Sequence, residues 1–325
     1  MEMSVPTSEN KVTALQGPWR LLAAVPLEIV LALVFLGFTL AMGAWLGLPF
    51  SLPNGNRAAF VGIHYLYPLA GIAIWAVFML FNSSKQMTAT FFVALPAYTV
   101  VLLCHFNLKL WIPHINPTLW DKFYWASDEA IRPLIDWAMA FRVSIDWLIP
   151  LDSNFYMSGF IALFYLAFGY ACLKRQDTFR ELVLAVIIMQ IAGSFAYLVA
   201  PALGPFIYEI GVEPRATFSQ QSMLASWQAN SAGGAAWIAA EGGRQLTVGL
   251  AAMPSLHAGG SFLFLLYAVR HAEALRIPFI LLFCFIAMDA VANRWHYAID
   301  LPVGMALAGT AYWIARKVVS RKSNA

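Results

Sequence analysis

The chain has 325 residues, of which 61% are hydrophobic and only 11% charged. A soluble domain carries roughly a quarter charged residues. The composition therefore excludes an ordinary soluble fold and, with a mean hydropathy of +0.68, predicts an all-α protein that crosses a membrane many times. The net charge of +3 is spread along the chain, which excludes the clustered basic face that a nucleic-acid partner requires.

Residues 1–20 form a polar tail carrying Lys11 and Arg20. The apolar run 21–48 is longer than the roughly 7–15-residue core of a signal peptide and has no small-residue cleavage pattern after it, so it predicts an uncleaved first span. The runs 62–82, 87–106, 155–173, 181–203, 254–269, 277–292 and 297–315 also read as spans by length, giving about eight. Of the connecting segments, 49–61 holds Pro53-Asn54-Gly55 and reads as a turn. Segment 107–153 holds six acidic residues together with Trp111, Trp120, Tyr124, Trp125, Trp137 and Trp147, which suit a belt at the lipid–water interface. Within it Ile135, Met139, Val143 and Trp147 recur at helical spacing and predict an interfacial amphipathic helix. Segment 204–252 is rich in Gly, Ala, Ser and Gln; Gly233-Gly234 and Gly242-Gly243 predict an irregular loop. Cys104, Cys172 and Cys284 each lie in an apolar run and read as buried, inert thiols.

Lys and Arg clusters set the orientation. Lys85, the group Lys174, Arg175 and Arg180, the pair Arg270 and Arg276, and the tail 316–325 with Arg316, Lys317, Arg321 and Lys322 all fall on one side when the amino terminus is cytoplasmic. Both termini are then cytoplasmic. Segments 49–61, 107–153 and 204–252 face the other side.

Ionisable groups at span ends are costly to hold and are usually kept for function. Met253-Pro254-Ser255-Leu256-His257 opens the sixth span, and Asn293-Arg294-Trp295-His296-Tyr297-Ala298-Ile299-Asp300 opens the eighth, both on the non-cytoplasmic side. His296 and Asp300 are four residues apart, so a helix begun there would put them on one face. The carboxylate would then fix one imidazole nitrogen and free the other as base or nucleophile. His257 supplies a second imidazole and Arg294 a positive fork suited to phosphate. This inventory fits phosphoryl transfer without a metal or other cofactor. A two-histidine, one-carboxylate metal site has the same spacing, and a lipid or solute carrier could use the same polar cluster. His64, His105, His114 and His271 read as interfacial, as does Glu28; Asp289, within the seventh span, reads either as a functional group or as the partner of a polar neighbour in the bundle.

The two motifs together resemble the type 2 phosphatidic acid phosphatase superfamily, which carries Pro-Ser-Gly-His and, later, Ser-Arg, five residues, His, three residues, Asp. The resemblance covers about 87–315 and implies a six-helix core preceded by two additional helices within 21–86. Leu256 stands for the family glycine. The Ser-Arg pair falls on Asp289 and Ala290, and the earlier motif Lys, six residues, Arg-Pro is absent near the end of the fifth span. Arg215 and Arg244 are the basic residues in the loop beyond. The pattern is similar to the branch of inositolphosphorylceramide and sphingomyelin synthases, which share His-Tyr-x-x-Asp. The resemblance implies a lipid phosphate or phospholipid substrate. His257, His296 and Asp300 would be catalytic, with Arg294, Ser255, Arg244 and Arg215 at the phosphate. The acceptor would be water or an alcohol, either a polyol or a lipid hydroxyl.

Overall fold

The computed structural model describes residues 25–54, 85–247 and 250–323, with isolated positions at 74, 77–78 and 80–81. The expected span 62–82, the tail 1–20 and His64 lie largely or wholly outside the described residues. Those residues form ten α-helices and no strand. They are α1 (Leu27–Leu46), α2 (Lys85–Ile115), α3 (Asp121–Ala130), α4 (Arg132–Ser144), α5 (Phe155–Lys174), α6 (Gln176–Val199), α7 (Pro214–Glu241), α8 (Leu256–His271), α9 (Arg276–Ala292) and α10 (Asp300–Ser323). Five described segments are long and apolar enough to cross a membrane: Leu27–Leu46, Met87–Ile115, Phe155–Lys174, Gln176–Val199 and Glu273–Ala292. The protein is therefore an all-α membrane protein. At 16 residues α8 is about 24 Å long, short of a hydrocarbon core of about 30 Å. It is instead walled by protein, packing on α5, α6, α9 and α10.

The hub is α6. Leu182–Ile187 are buried in succession on all sides of the helix, the pattern of a helix enclosed by others. It packs on α1, α2, α5, α8 and α10. Glu28, in the first turn of α1, is 2% exposed and paired with Arg180 Nε at 2.7 Å, which ties α1 to α6.

The helices α8 and α10 cross with their backbones in close approach. A Cβ on Gly259 would lie 2.6 Å from Gly304 O, and one on Gly304 would fall on Ser255 O. Absent side chains let the two backbones touch. Leu256, in the place of the family glycine, packs on α6, where a Cβ on Gly193 would lie 2.5 Å from its side chain. The larger residue on one helix is met by a glycine on its neighbour.

Two expectations about helices need correction. First, the run ending at 106 continues to Ile115. Polar Asn107 does not stop the helix, because its amide binds Ser51 O at 3.0 Å and Leu103 O at 2.8 Å and its oxygen accepts from Ser51 N at 2.7 Å. Second, 204–252 is not an irregular loop. Its Ala, Gln and Met are strong helix formers and build the 28-residue α7, with a break at Gly234 (φ 54°). Asn230 on α7 donates to Leu110 O at 2.7 Å and accepts from His114 Nε2 at 3.1 Å, pinning α7 to α2. The helix expected around Ile135, Met139 and Val143 forms as α4, which turns Ile135, Ala138 and Arg142 inward and leaves Val143 49% exposed. Cys284 also differs from expectation, being exposed while Cys104 and Cys172 are buried.

Gly304→Val should separate α8 from α10, since overpacking a close crossing costs about 1–3 kcal/mol or more. The expected result in detergent is a lower melting temperature and loss of any activity that needs both histidines. Gly309, whose added Cβ would meet nothing within 4 Å, serves as control: Gly309→Val should change neither.

Candidate active site

The starts of α8 and α10 meet through Ser255. Its side chain caps α8 by accepting from Ala258 N at 3.3 Å, and its own N–H donates to Asp300 O at 3.1 Å. Ser255 is fully buried and acts as a cap rather than as part of the cavity wall.

Asp300 is the first residue of α10, and His296 lies in the turn before it. The pair is thus not on one helical face as the spacing suggests. The turn itself brings them together. His296 Nδ1 lies 2.8 Å from Ala252 O and 3.3 Å from Asp300 Oδ2. Both partners are acceptors, so Nδ1 carries a proton, and in the neutral ring the lone pair is on Nε2. Asp300 Oδ2 also accepts from Tyr297 N at 2.9 Å. His257, the second residue of α8, places Nδ1 3.1 Å from Tyr156 Oη, with its ring 4.6 Å from that of Phe160.

Both histidines line one cavity of ≈750 Å³. Its outer end is polar, with Asn154, Glu213, Arg215, Ser219 and Asp289. Its inner end is apolar, with Tyr98, Phe160, Phe164, Val186, Met189 and Phe264. Lys109 and Arg215 also line it. Among the described residues neither makes an ion pair; Lys109 Nζ lies 5.5 Å from the Tyr197 ring centroid, and Glu213 and Asp289 line the same cavity.

Arg294 is placed differently. It is fully buried and does not line the cavity. Its Nη2 lies 3.0 Å from Asp128 Oδ2, its Nε 3.1 Å from Glu209 Oε2, and its guanidinium 5.3 Å from the Trp125 ring centroid. Its backbone adopts φ 57°, unusual for a residue with a side chain. Asp128 in turn accepts from Ala298 N at 2.9 Å. Burial pushes the Asp128 carboxyl above its usual range, opposed by that bond and by Arg294. Tyr297 donates to Asp121 Oδ1 at 2.8 Å, and Asp121 also accepts from Leu203 N and Gly204 N, each at 2.9 Å. Burial and Asp121 together raise the Tyr297 phenol well above its usual value, which keeps it a donor. These bonds clamp both ends of the turn that carries His296. Arg244 is also away from the cavity, exposed and paired with Glu241.

Two lining residues escape the sequence reading. His105 is no interfacial residue: it is 5% exposed, with Nδ1 2.8 Å from Ser194 Oγ. Lys109 was open to detection, because Lys109, six residues, Asn116-Pro117 repeats the spacing of the superfamily's first motif with Asn for Arg. It lies on α2, not on the fifth expected span. His114 and His271 are side-chain partners of Asn230 and Tyr312. Among the described residues no three of His, Cys, Asp and Glu are grouped to hold a metal ion.

A multi-pass helical protein with two histidines and a carboxylate at one mouth of the bundle defines a class of membrane-embedded site. A family model described as the PAP2 superfamily matches residues 133–314, more than half of the chain. The chain belongs to the PAP2 superfamily, which supports phosphoryl chemistry on lipid phosphates. No curated protein and no solved structure matches it.

The contrast between the basic residues is testable. Lys109→Ala should fold as the wild type but lose inhibition by orthovanadate. Arg294→Ala leaves Asp128 buried without its cation, a loss of about 3–5 kcal/mol, and should lower the melting temperature by about 5 °C or more. Thermal unfolding and vanadate titration of both variants check this. A folded, vanadate-insensitive Arg294→Ala would return that residue to the phosphate.

Proposed function

We propose that this protein transfers a phosphoryl-linked group from a lipid phosphate ester, through a phosphohistidine, to an alcohol acceptor. The observation that carries the reading is the double hold on His296 Nδ1 by Ala252 O and Asp300 Oδ2, which leaves Nε2 as the free nucleophile beside His257. In the first step His296 Nε2 bonds to phosphorus and the bond from phosphorus to the lipid oxygen breaks. His257 gives that oxygen its proton. In the second step His257 takes the proton of the acceptor hydroxyl, whose oxygen bonds to phosphorus as the P–N bond breaks. Asp300 supports the positive charge that His296 carries between the steps. Lys109 and Arg215 offset the charge on the phosphoryl oxygens. The apolar inner end suits acyl chains, and the polar outer end suits the head group. With water as acceptor the same residues make a phosphatase.

The roles separate by mutation. His296→Ala removes the nucleophile, so no phosphoenzyme should form. His257→Ala loses general acid–base help, worth typically 10²–10⁴-fold. It should still form a phosphoenzyme from a nitrophenyl phosphate ester, whose leaving group needs little protonation. Asp300→Asn should fold but react far more slowly. The measurement is acid-labile, base-stable phosphate on the protein after rapid quench, in the presence of a chelator, which should not alter it. Such phosphate on His296→Ala protein would reverse the assignment.

The positive-inside pattern supports a site on the non-cytoplasmic face, with both termini cytoplasmic. In a background without native cysteines, Ser231→Cys should react with an impermeant thiol reagent in intact cells and Ser320→Cys should not. The opposite labelling would place the chemistry in the cytoplasm.

A further inference from the structure

The two histidines of the site are held by different kinds of oxygen. His296 Nδ1 meets a carbonyl and a carboxylate, Ala252 O at 2.8 Å and Asp300 Oδ2 at 3.3 Å. His257 Nδ1 meets the phenol of Tyr156 at 3.1 Å. Among the described residues His257 makes no ion pair with a carboxylate, whereas His271 and His296 both do.

The phenol belongs to the first turn of α5, and Phe160 follows it by four residues. Residues at that spacing share a helix face. One face of α5 therefore grips the imidazole twice, with Tyr156 at a ring nitrogen and Phe160 against the ring at 4.6 Å between centroids. Room for Phe160 comes from α8 itself, where a Cβ on Gly260 would lie 3.0 Å from Phe160 Cε2. Tyr156 and Phe160 line the same cavity as the histidines.

The kind of oxygen matters to the chemistry. A carboxylate stabilises an imidazolium and so opposes loss of its proton. That suits a ring that keeps its positive charge while it holds phosphorus. A neutral phenol fixes the ring in direction without that opposition, which suits a ring that must give up a proton and take one back. Phenol oxygen both donates and accepts. If it donated to Nδ1, the proton of the neutral ring would sit on Nε2, and no lone pair would be left there for the acceptor hydroxyl. If it accepts from Nδ1–H, the bond persists in both charge states, and Nε2 alone loses and regains a proton without any turn of the ring.

We infer that Tyr156 is the positioning residue of the acid–base histidine: its Oη accepts from His257 Nδ1–H and commits Nε2 to moving the proton. The inference rests on the phosphoryl-transfer reading for what Nε2 does with that proton, but the hold on Nδ1 does not depend on it.

Two measurements on the full-length protein test this. The first is ¹⁵N NMR of histidine-labelled protein in lipid, with the His257 signals identified by their absence from His257→Ala. The neutral ring of the wild type should carry its proton on Nδ1, and Tyr156→Phe, which keeps the ring and removes only Oη, should lose that preference. The wild-type spectrum decides the hold even if the variant proves unstable. The second is the rate of phosphoenzyme formation with two leaving groups. From short-chain phosphatidic acid, Tyr156→Phe should be about ten- to a hundredfold slower, the worth of a hydrogen bond to a charged group. From a nitrophenyl phosphate ester, whose leaving group needs little protonation, it should change by less than about threefold. In the His257→Ala background Tyr156→Phe should alter neither rate, because a residue that acts through another has no separate effect once that one is gone. A structural role would slow both esters alike, with or without His257. A neutral His257 protonated at Nε2 in the wild type, or equal slowing of the two esters, would overturn the inference. Failure of the phosphoryl-transfer reading would appear separately, as absence of phosphoenzyme from the wild type with either ester, while the spectrum still decides the hold on Nδ1.

Discussion

Everything in the site depends on how closely α8 and α10 approach. Gly259 and Gly304 let their backbones touch, and Ser255 then spans the gap with one hydrogen bond to Asp300 O. A membrane offers little hydrophobic drive for two helices to associate, so packing of small residues does that work. His257 is one residue past the start of one helix, and Asp300 is the start of the other. The positions of both groups are therefore fixed by backbone contact rather than by long side chains. The constraint also accounts for Leu256. On α8 it faces α6, not α10, and Gly193 gives it room. A bulkier residue is tolerated on that side because the crossing that matters is on the other.

Charge is sorted by depth and by partner. The outer end of the bundle holds two buried ionic clusters, one of Asp128, Glu209 and Arg294 and one of Arg142, Glu213 and Asp289. Buried pairs seldom add much net stability, but breaking one is costly. Their effect is to fix geometry: the first locks the turn carrying His296, and the second locks the cavity's outer wall. Lys109 and Arg215 are left outside these pairs, facing the cavity. A phosphate needs cations that are not already neutralised, so the arginine nearest His296 in sequence is less suited to it than a lysine far away on α2.

Much of this was legible in the residues themselves. Composition fixes the all-helical membrane class, and the two motifs contain His257 and His296, which line one cavity, with Asp300 buried behind His296. What failed has a common cause. Asn107 and Lys109 are polar and so read as lying beyond the span, and the Ser- and Gln-rich stretch after residue 213 reads as a loop rather than a helix. Asn107 is buried by its bonds to Ser51 and Leu103 and Lys109 faces the cavity, and linear hydropathy cannot tell either from facing water. Gly233-Gly234 and Gly242-Gly243 mark a break and an end of α7 rather than a loop. Partner choice is equally invisible along the chain: Arg294 and Asp128 are separated by more than half its length, and nothing local distinguishes a clamp from a ligand.

The outer wall also bears on the choice between alcohol and water as acceptor. A phosphatase needs no subsite for its second substrate, because water reaches any open mouth at high concentration. A transferase must bind its acceptor well enough to outcompete that water, and must hold it where a base can take its proton. A cavity of ≈750 Å³ has room for many waters at about 30 Å³ each, so size alone cannot exclude them. Discrimination has to come from groups that a bound hydroxyl satisfies better than mobile water does. Glu213 and Asp289, two carboxylates held in the cavity wall by Arg142, are groups of that kind. They involve no rearrangement of the protein on binding, which limits the entropic cost to the ligand's own ordering.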